Sequence, residues 1–312
     1  MTGTASSQVR SAYIAEVTPG TIPATPAFTT LHRPAMLVAK PDIIEGRSLI
    51  AGGARLGQGF AGIPVTGSLE SPLVYGVYDA FFASLLQGAW ATNVLTDAKQ
   101  VSTVAVENTI PAGVDGTATM LRYRGVEAIG GTLNLTAKAA AQLSLNLIGR
   151  GSDIGTTTAI VGSTYVDPTE FDPLSSGADV GTITMAGYTP DCMQSLEIAF
   201  TFEGRDPQER ISSDDLCGVT RGDFLPVMTA NIFVETNFLA MYNAARARHA
   251  AFAVTVPLGS VTTEKYTLVF PSCHFGSTEI DMSATNVFQK VEIRPEYSTS
   301  LDYVLAITRA VV

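Results

Sequence analysis

A mainly β fold is expected from the sequence, arranged as two units of one element order with a single short helix in each. Three observations lead there. Several segments alternate polar and apolar residues with the period of a half-buried strand. Only two stretches carry helical spacing. The order of elements in the first half of the 312 residues returns in the second.

The chain opens on a segment of neither kind. Glu16–Leu31 reads E-V-T-P-G-T-I-P-A-T-P-A-F-T-T-L. Pro19, Pro23 and Pro26 each remove a donor and clash one turn back, which excludes a helix, and a central strand has no place for them. Residues 1–33 are therefore expected to form an extended arm.

The first unit is expected over residues 34–150. Glu45-Gly46-Arg47 leads into a variable stretch, then a strand near Gly62–Leu69. A helix follows: Val77, Phe81 and Leu85, with Phe82 and Leu86 beside them, share one face, and Gly88 is its stop. Strands are predicted at Val101–Val106, Thr119–Tyr123 and Thr132–Ala137. Residues 151–190, rich in Gly, Ser, Thr and Asp, form a connector loop. The second unit, 191–312, repeats the order. Ser195–Glu203 alternates, with Leu196, Ile198, Phe200 and Phe202 on one face and Ser195, Glu197, Thr201 and Glu203 on the other. Glu203-Gly204-Arg205 precedes a variable stretch, a strand near Leu225–Val234 and a helix from about Asn237 to His249. That helix carries a stripe of Phe238, Leu239, Tyr242 and Ala245, and Arg246 and Arg248 suit its C-terminal end. Strands follow at Ala251–Val256, Tyr266–Phe270, Glu279–Ala284 and Tyr303–Thr308. Leu133, Leu135, Thr136, Ala137 and Gln142 match Ile280, Met282, Ser283, Ala284 and Gln289 at one offset, 147 residues (280 − 133). An internal duplication is the reading this favours, with domain-sized copies, since the period is far longer than that of solenoid repeats.

Composition excludes several classes of function. Apolar residues make up 46% of the chain, enough for a sizeable core, and only 15% are charged. The net charge of −10 opposes sequence-independent grip on nucleic acid. Fourteen arginines against five lysines fit an assembly interface, and codon usage explains the bias equally well. Met1–Gly20 has one Arg and no apolar run of signal-peptide length, and no stretch has the apolar length of a membrane span.

Catalytic, cofactor and metal sites are not expected. Gly57-Gln58-Gly59-Phe60-Ala61-Gly62 fits G-x-G-x-x-G, but Pro64 prevents the helix a dinucleotide site needs, so a turning loop is predicted. Cys192, Cys217 and Cys273 are too scattered for a disulfide framework or zinc and read as buried or semi-buried thiols. His32, His249 and His274 are isolated. Cys273 and His274 point to opposite faces of a strand, which argues against a nucleophile pair. Asp167, Glu170, Asp172 and Asp179 lack calcium-loop spacing. Arg221-Gly222-Asp223 spells an adhesion tripeptide that chance also supplies.

The sequence resembles the major tail tube proteins of long-tailed, siphovirus-type bacteriophages and related prophages. The Glu16-x-Thr18-x-Gly20-Thr21-x-Pro23-Ala24-x-Pro26-x-Phe28 opening carries the resemblance. So do Gly67-Ser68-Leu69-Glu70 with the helix closing in Leu85-Leu86-Gln87-Gly88-Ala89-Trp90, the strand-turn-strand passage from Gly125 to Arg150, and Gly222-Asp223-Phe224 with the strand, helix and strand pair after it. The part beyond about Tyr297 matches less.

This resemblance implies sandwich or barrel units whose inner strands join around a channel for DNA. Rings of sixfold symmetry, or trimers of pseudo-sixfold symmetry if the unit is duplicated, would stack into a tube made in the host cytoplasm and placed in the virion tail. The implied partners are further copies, a tape-measure protein, tail terminator and tail-tip proteins, and genomic DNA passing without specific binding. Phe28 and Leu31 would anchor the arm on an adjacent subunit or ring, stiffened by Pro19, Pro23 and Pro26; a strap over the chain's own sandwich is the other reading. Thr132, Asn134, Thr136, Glu197, Glu203, Glu279 and Asp281 are the candidate lumen-facing side chains; their faces could equally meet outer solvent. The competing functions are a β-rich virion decoration protein or surface adhesin, and a hydrolase with an unrecognised site.

Overall fold

Strands that alternate in polarity need a common interior for their apolar faces, and the chain meets that need with one wide sheet and a second layer folded over it. The computed structural model describes residues 5–49, 55–111, 117–211, 213–235, 238–247, 251–261, 263–282 and 285–310. The arm supplies β1 (Arg10–Ala15) and β2 (Ala27–Thr30). Then come β3 (Met36–Ala39), β4 (Asp42–Leu49), β5 (Arg55–Gly62), β6 (Val65–Pro72), α1 (Asp79–Leu85), β7 (Val94–Thr96), β8 (Val104–Ile110), β9 (Thr119–Thr136) and β10 (Gln142–Gly149). The connector holds β11 (Gly151–Ser152), β12 (Thr164–Val166) and β13 (Thr184–Met185). The second unit has β14 (Met193–Phe200) and an irregular hairpin of β15 (Phe202–Glu203), β16 (Pro207–Gln208), β17 (Gly218–Val219) and β18 (Asp223–Phe224). It ends with β19 (Val227–Phe233), α2 (Phe238–Ala247), β20 (Phe252–Leu258), β21 (Tyr266–Asp281), β22 (Phe288–Pro295) and β23 (Ala306–Arg309).

The wide sheet runs β3-β6-β10-β9-β14-β19-β22-β21, antiparallel throughout. Its inward face is apolar: Leu69, Leu145, Leu133, Leu196, Ile198, Met228, Ala230, Val291 and Ile293 are buried. β9 and β21 each serve two layers. The first half of β9 pairs with β8, and its second half with β10 and β14; β21 pairs first with β20 and β23, then with β22. Strands that turn a sandwich corner in this way do so at bulges, and both have register shifts along their length. Two pairs of expected strands, Thr119–Tyr123 with Thr132–Ala137 and Tyr266–Phe270 with Glu279–Ala284, are thus two long strands. Ser283 and Ala284 lie outside the described residues.

The two halves have the same strand order and the same registers. Leu37 opposite Gly67 and Val38 opposite Thr66 correspond to Ile198 opposite Met228 and Ala199 opposite Val227. Leu69 opposite Leu145 corresponds to Ala230 opposite Val291. Leu133 opposite Leu143 corresponds to Ile280 opposite Gln289, and Val126 opposite Val104 to Cys273 opposite Phe252. α1 packs on β9 as α2 packs on β21.

Several local expectations change. The arm is not extended throughout: β1 pairs with β8 over six residues and β2 returns along β1. The prolines keep to the turn between them, where a ladder donor is not needed. The connector is tied down at β11, β12 and β13. The Gly57–Gly62 run forms most of β5, because pairing with β4 supplies the partners a loop would lack; Gly57 takes φ +89° at a register irregularity. α1 ends at Leu85, before the expected stop, and Gly88 is needed for a steric reason: a Cβ there would stand 2.3 Å from the Thr96 carbonyl oxygen. α2 buries Met241 and Ala244, while Leu239 faces solvent. Cys192 and Cys217 are exposed, and only Cys273 is buried. His249 and Arg248 lie outside the described residues.

Candidate assembly face

The outward face of the wide sheet is polar and continuous across both units. One row of paired residues runs Thr136, Ser195, Asn231, Lys290, Glu279. The next runs Gln142, Asn134, Glu197, Thr229, Glu292, and a third Glu70, Ser144, Thr132, Ala199, Val227. Asp281 follows Glu279 by two and shares its face. Six of the seven residues singled out from sequence therefore stand together. Glu203 does not: β15 leaves the sheet to pair with β18. Among the described residues of this face, Glu70, Glu197, Glu279, Asp281 and Glu292 face only Lys290 and Arg294, so it carries net negative charge.

Two features stand outside the wide sheet. The β4–β5 hairpin pairs only with itself among the described residues and exposes Ile43, Ile44 and Phe60. The turn 16–26 exposes Val17 (93%). Its base is held by Glu16, whose carboxylate accepts from the Gly20 and Gly125 amides and the Thr103 hydroxyl. Phe28 and Leu31 are buried within their own subunit, with Phe28 stacked on Tyr165. Pro26 is buried beside them, and Pro19 and Pro23 are half-buried. These side chains pack the arm onto its own sandwich and leave the turn exposed.

A buried charge cluster locks the two units together. Glu127 on β9 is fully buried, with Arg221 at 2.7 Å, Arg150 at 3.4 Å and Arg205 at 3.7 Å. Arg205 also donates to the Ser84 and Leu85 carbonyls at the C-terminal end of α1, at 3.0 and 2.9 Å, and lies over Phe202. Burial lowers its pKa to about 10, against the opposing pull of Glu127, so it stays charged at neutral pH. At the other end of α1, Asp79 accepts from Tyr266 at 2.5 Å and pairs with Arg309. The second unit thus clamps the helix of the first at both ends. The C-terminal part closes the same junction: β23 pairs with both β21 and β7, and Asp97 accepts the Val304 and Leu305 amides. Nothing near Glu127 in sequence names its partners; the one signal was a carboxylate between Val126 and Ala128 in an apolar strand.

The residues considered for chemistry do not converge. Burial pushes the Cys273 thiol up to about 12, which keeps it protonated, and His274 turns away toward Glu296 at 3.5 Å. Asp167 accepts from Thr30, and Asp179 from Ser175 and Ser260. Among the described residues, no group of three or more His, Cys, Asp or Glu could hold a metal ion, and no helix is long and apolar enough to cross a membrane. In the Arg-Gly-Asp run, Arg221 is engaged by Glu127 and Asp223 pairs with Lys99 at 3.1 Å.

Comparison with curated proteins gives no match. A family model described as phage tail tube protein matches residues 6–287, nearly the whole length, and the chain belongs to that family.

Proposed function

We propose that the protein is a tandem tube subunit: two units duplicated in one chain, three chains to a ring of pseudo-sixfold symmetry, and rings stacked into a tube whose lumen conducts DNA. The observation that carries this reading is the wide amphipathic sheet. It spans both units without a break, and its two outer strands differ, so copies can join head to tail and close. The matching registers of the two halves support duplication. A net negative polar face suits a DNA channel, because each basic contact would hold a phosphate and slow passage. Thr132, Asn134, Thr136, Glu197, Glu279 and Asp281 are then lumen-facing, and the β4–β5 hairpin and the turn 16–26 meet neighbouring rings. Further copies are the main partner; the tape-measure protein, tail terminator, tail-tip proteins and passing DNA complete the set. The binding-module alternative would use the Arg221-Gly222-Asp223 loop or the Asp167–Asp179 loop, and the first is disfavoured because Arg221 is held by the buried Glu127 carboxylate.

Electron microscopy with native mass measurement of isolated rings tests this. Hollow tubes built of three-chain rings are expected. Six-chain rings would overturn the tandem arrangement, and a monomer at high concentration would overturn assembly altogether.

A further inference from the structure

The wide sheet contains, inside one chain, a complete junction between two units: the last part of β9 paired with β14. Ile198 lies opposite Leu133, Glu197 opposite Asn134, Ala199 opposite Thr132 and Phe200 opposite Gly131. The outer strands of the same sheet are the counterparts of these two, since β21 takes the place of β9 and β3 that of β14. On their outer sides no strand pairing is formed among the described residues: β3 pairs with β6, and Thr278–Ile280 of β21 with β22.

Exposure differs sharply between the joined and the free version. Leu133 and Leu135, inside the junction, are 0% and 4% exposed; their counterparts Ile280 and Met282 are 38% and 72% exposed. In the junction, those two leucines are covered by Ile198 and Leu196, whose counterparts are Leu37 and Ala35. Apolar side chains stand uncovered at one edge, and the pair that would cover them lies at the other. An edge of this kind recruits a strand.

We infer that the contact between copies repeats the internal junction in register, so that β3 of one copy adds to β21 of the next. Met36 then lies opposite Asp281, Leu37 opposite Ile280, Val38 opposite Glu279 and Ala39 opposite Thr278. The two surfaces differ, so the contact is head to tail, the kind a closed ring is built from. The occupant is a second copy of this chain. The inference rests on the duplicated, ring-forming reading above and adds the residues that meet.

Cysteine cross-linking tests the register. In a Cys192→Ser, Cys217→Ser background, the Val38→Cys/Glu279→Cys and Met36→Cys/Asp281→Cys chains are oxidised after assembly and run under denaturing conditions. Covalent species up to a closed ring are expected from each double variant, and none from the component single variants. A Met36→Cys/Ser277→Cys pair, displaced by four residues, is expected to stay unlinked. Rings of normal mass in which only the displaced pair links would overturn the register and leave the ring reading standing. Linked dimers from Met36→Cys alone would mean that two β3 edges pair, overturning the inference. Failure to form rings at all would remove both readings. Hydrogen exchange on the unmodified chain gives a second measure: amides of β3 and of 278–281 should slow on assembly, and unchanged exchange there would count against the contact.

Discussion

Removing the Glu127 carboxylate would leave Arg205 against the end of α1, with Arg221 and Arg150 close by, and no counter-charge among them. Breaking a buried ion pair from one side costs about 3–5 kcal/mol, because the remaining charges keep their desolvation penalty. Glu127→Ala should lose stability of that order in denaturant unfolding. Lys99, between β7 and β8, pairs with Asp223 of the irregular hairpin with both side chains largely exposed, and Lys99→Ala should change stability by under about 1 kcal/mol. Equal losses from the two substitutions would mean that burial around Glu127 is not what holds the hairpin. The cluster was hard to read in the sequence because Glu127 and Arg221 meet only after the hairpin folds back over the first unit. An inward carboxylate announces that cations must be near without saying which.

At the scale of elements, alternation was the legible signal. Ser195–Phe200 falls on β14 with the expected faces, and the stripe Val77, Phe81 and Leu85 marks the α1 region, all three being buried. Less legible was how elements end. Breaks expected within β9 and β21 are bends, since Gly125 at φ +60° and the bulges let each strand pass from one layer to the other. The Gly57–Gly62 run became a strand through its partner, which no local propensity reveals. The arm shows the same dependence. Its prolines mark a turn, but that Phe28 belongs to its own sandwich follows from Tyr165, far along the chain, stacking on it. Deleting residues before Leu31 would strip β1 from β8 and damage the fold, so it cannot isolate a docking role. Val17→Asp can. That side chain has little left to lose from its own subunit, and the melting temperature should stay within the small range of surface changes. Stacking of rings should fall if the turn docks on a neighbour. Normal tube length in the variant would leave the turn as a strap alone.

At the scale of the whole molecule, the proposal turns on which water the polar face meets. Its carboxylates lie on the wide sheet that spans both units, and in a closed ring they would form a negative wall around the lumen. Charge reversal separates the two faces. Replacing Glu70, Glu197 and Glu279 by Lys exchanges repulsion for phosphate contacts, and the resulting grip should weaken steeply with salt, with a logarithmic slope of about −0.9 per phosphate neutralised on duplex DNA. Unmodified tubes should not retain short duplex DNA at low salt. The triple variant should retain it and release it as salt rises. The decisive observation is where the DNA lies. Density inside the tube would place the face on the channel, and DNA coating the outer surface would turn the sheet outward and leave the channel wall to other residues.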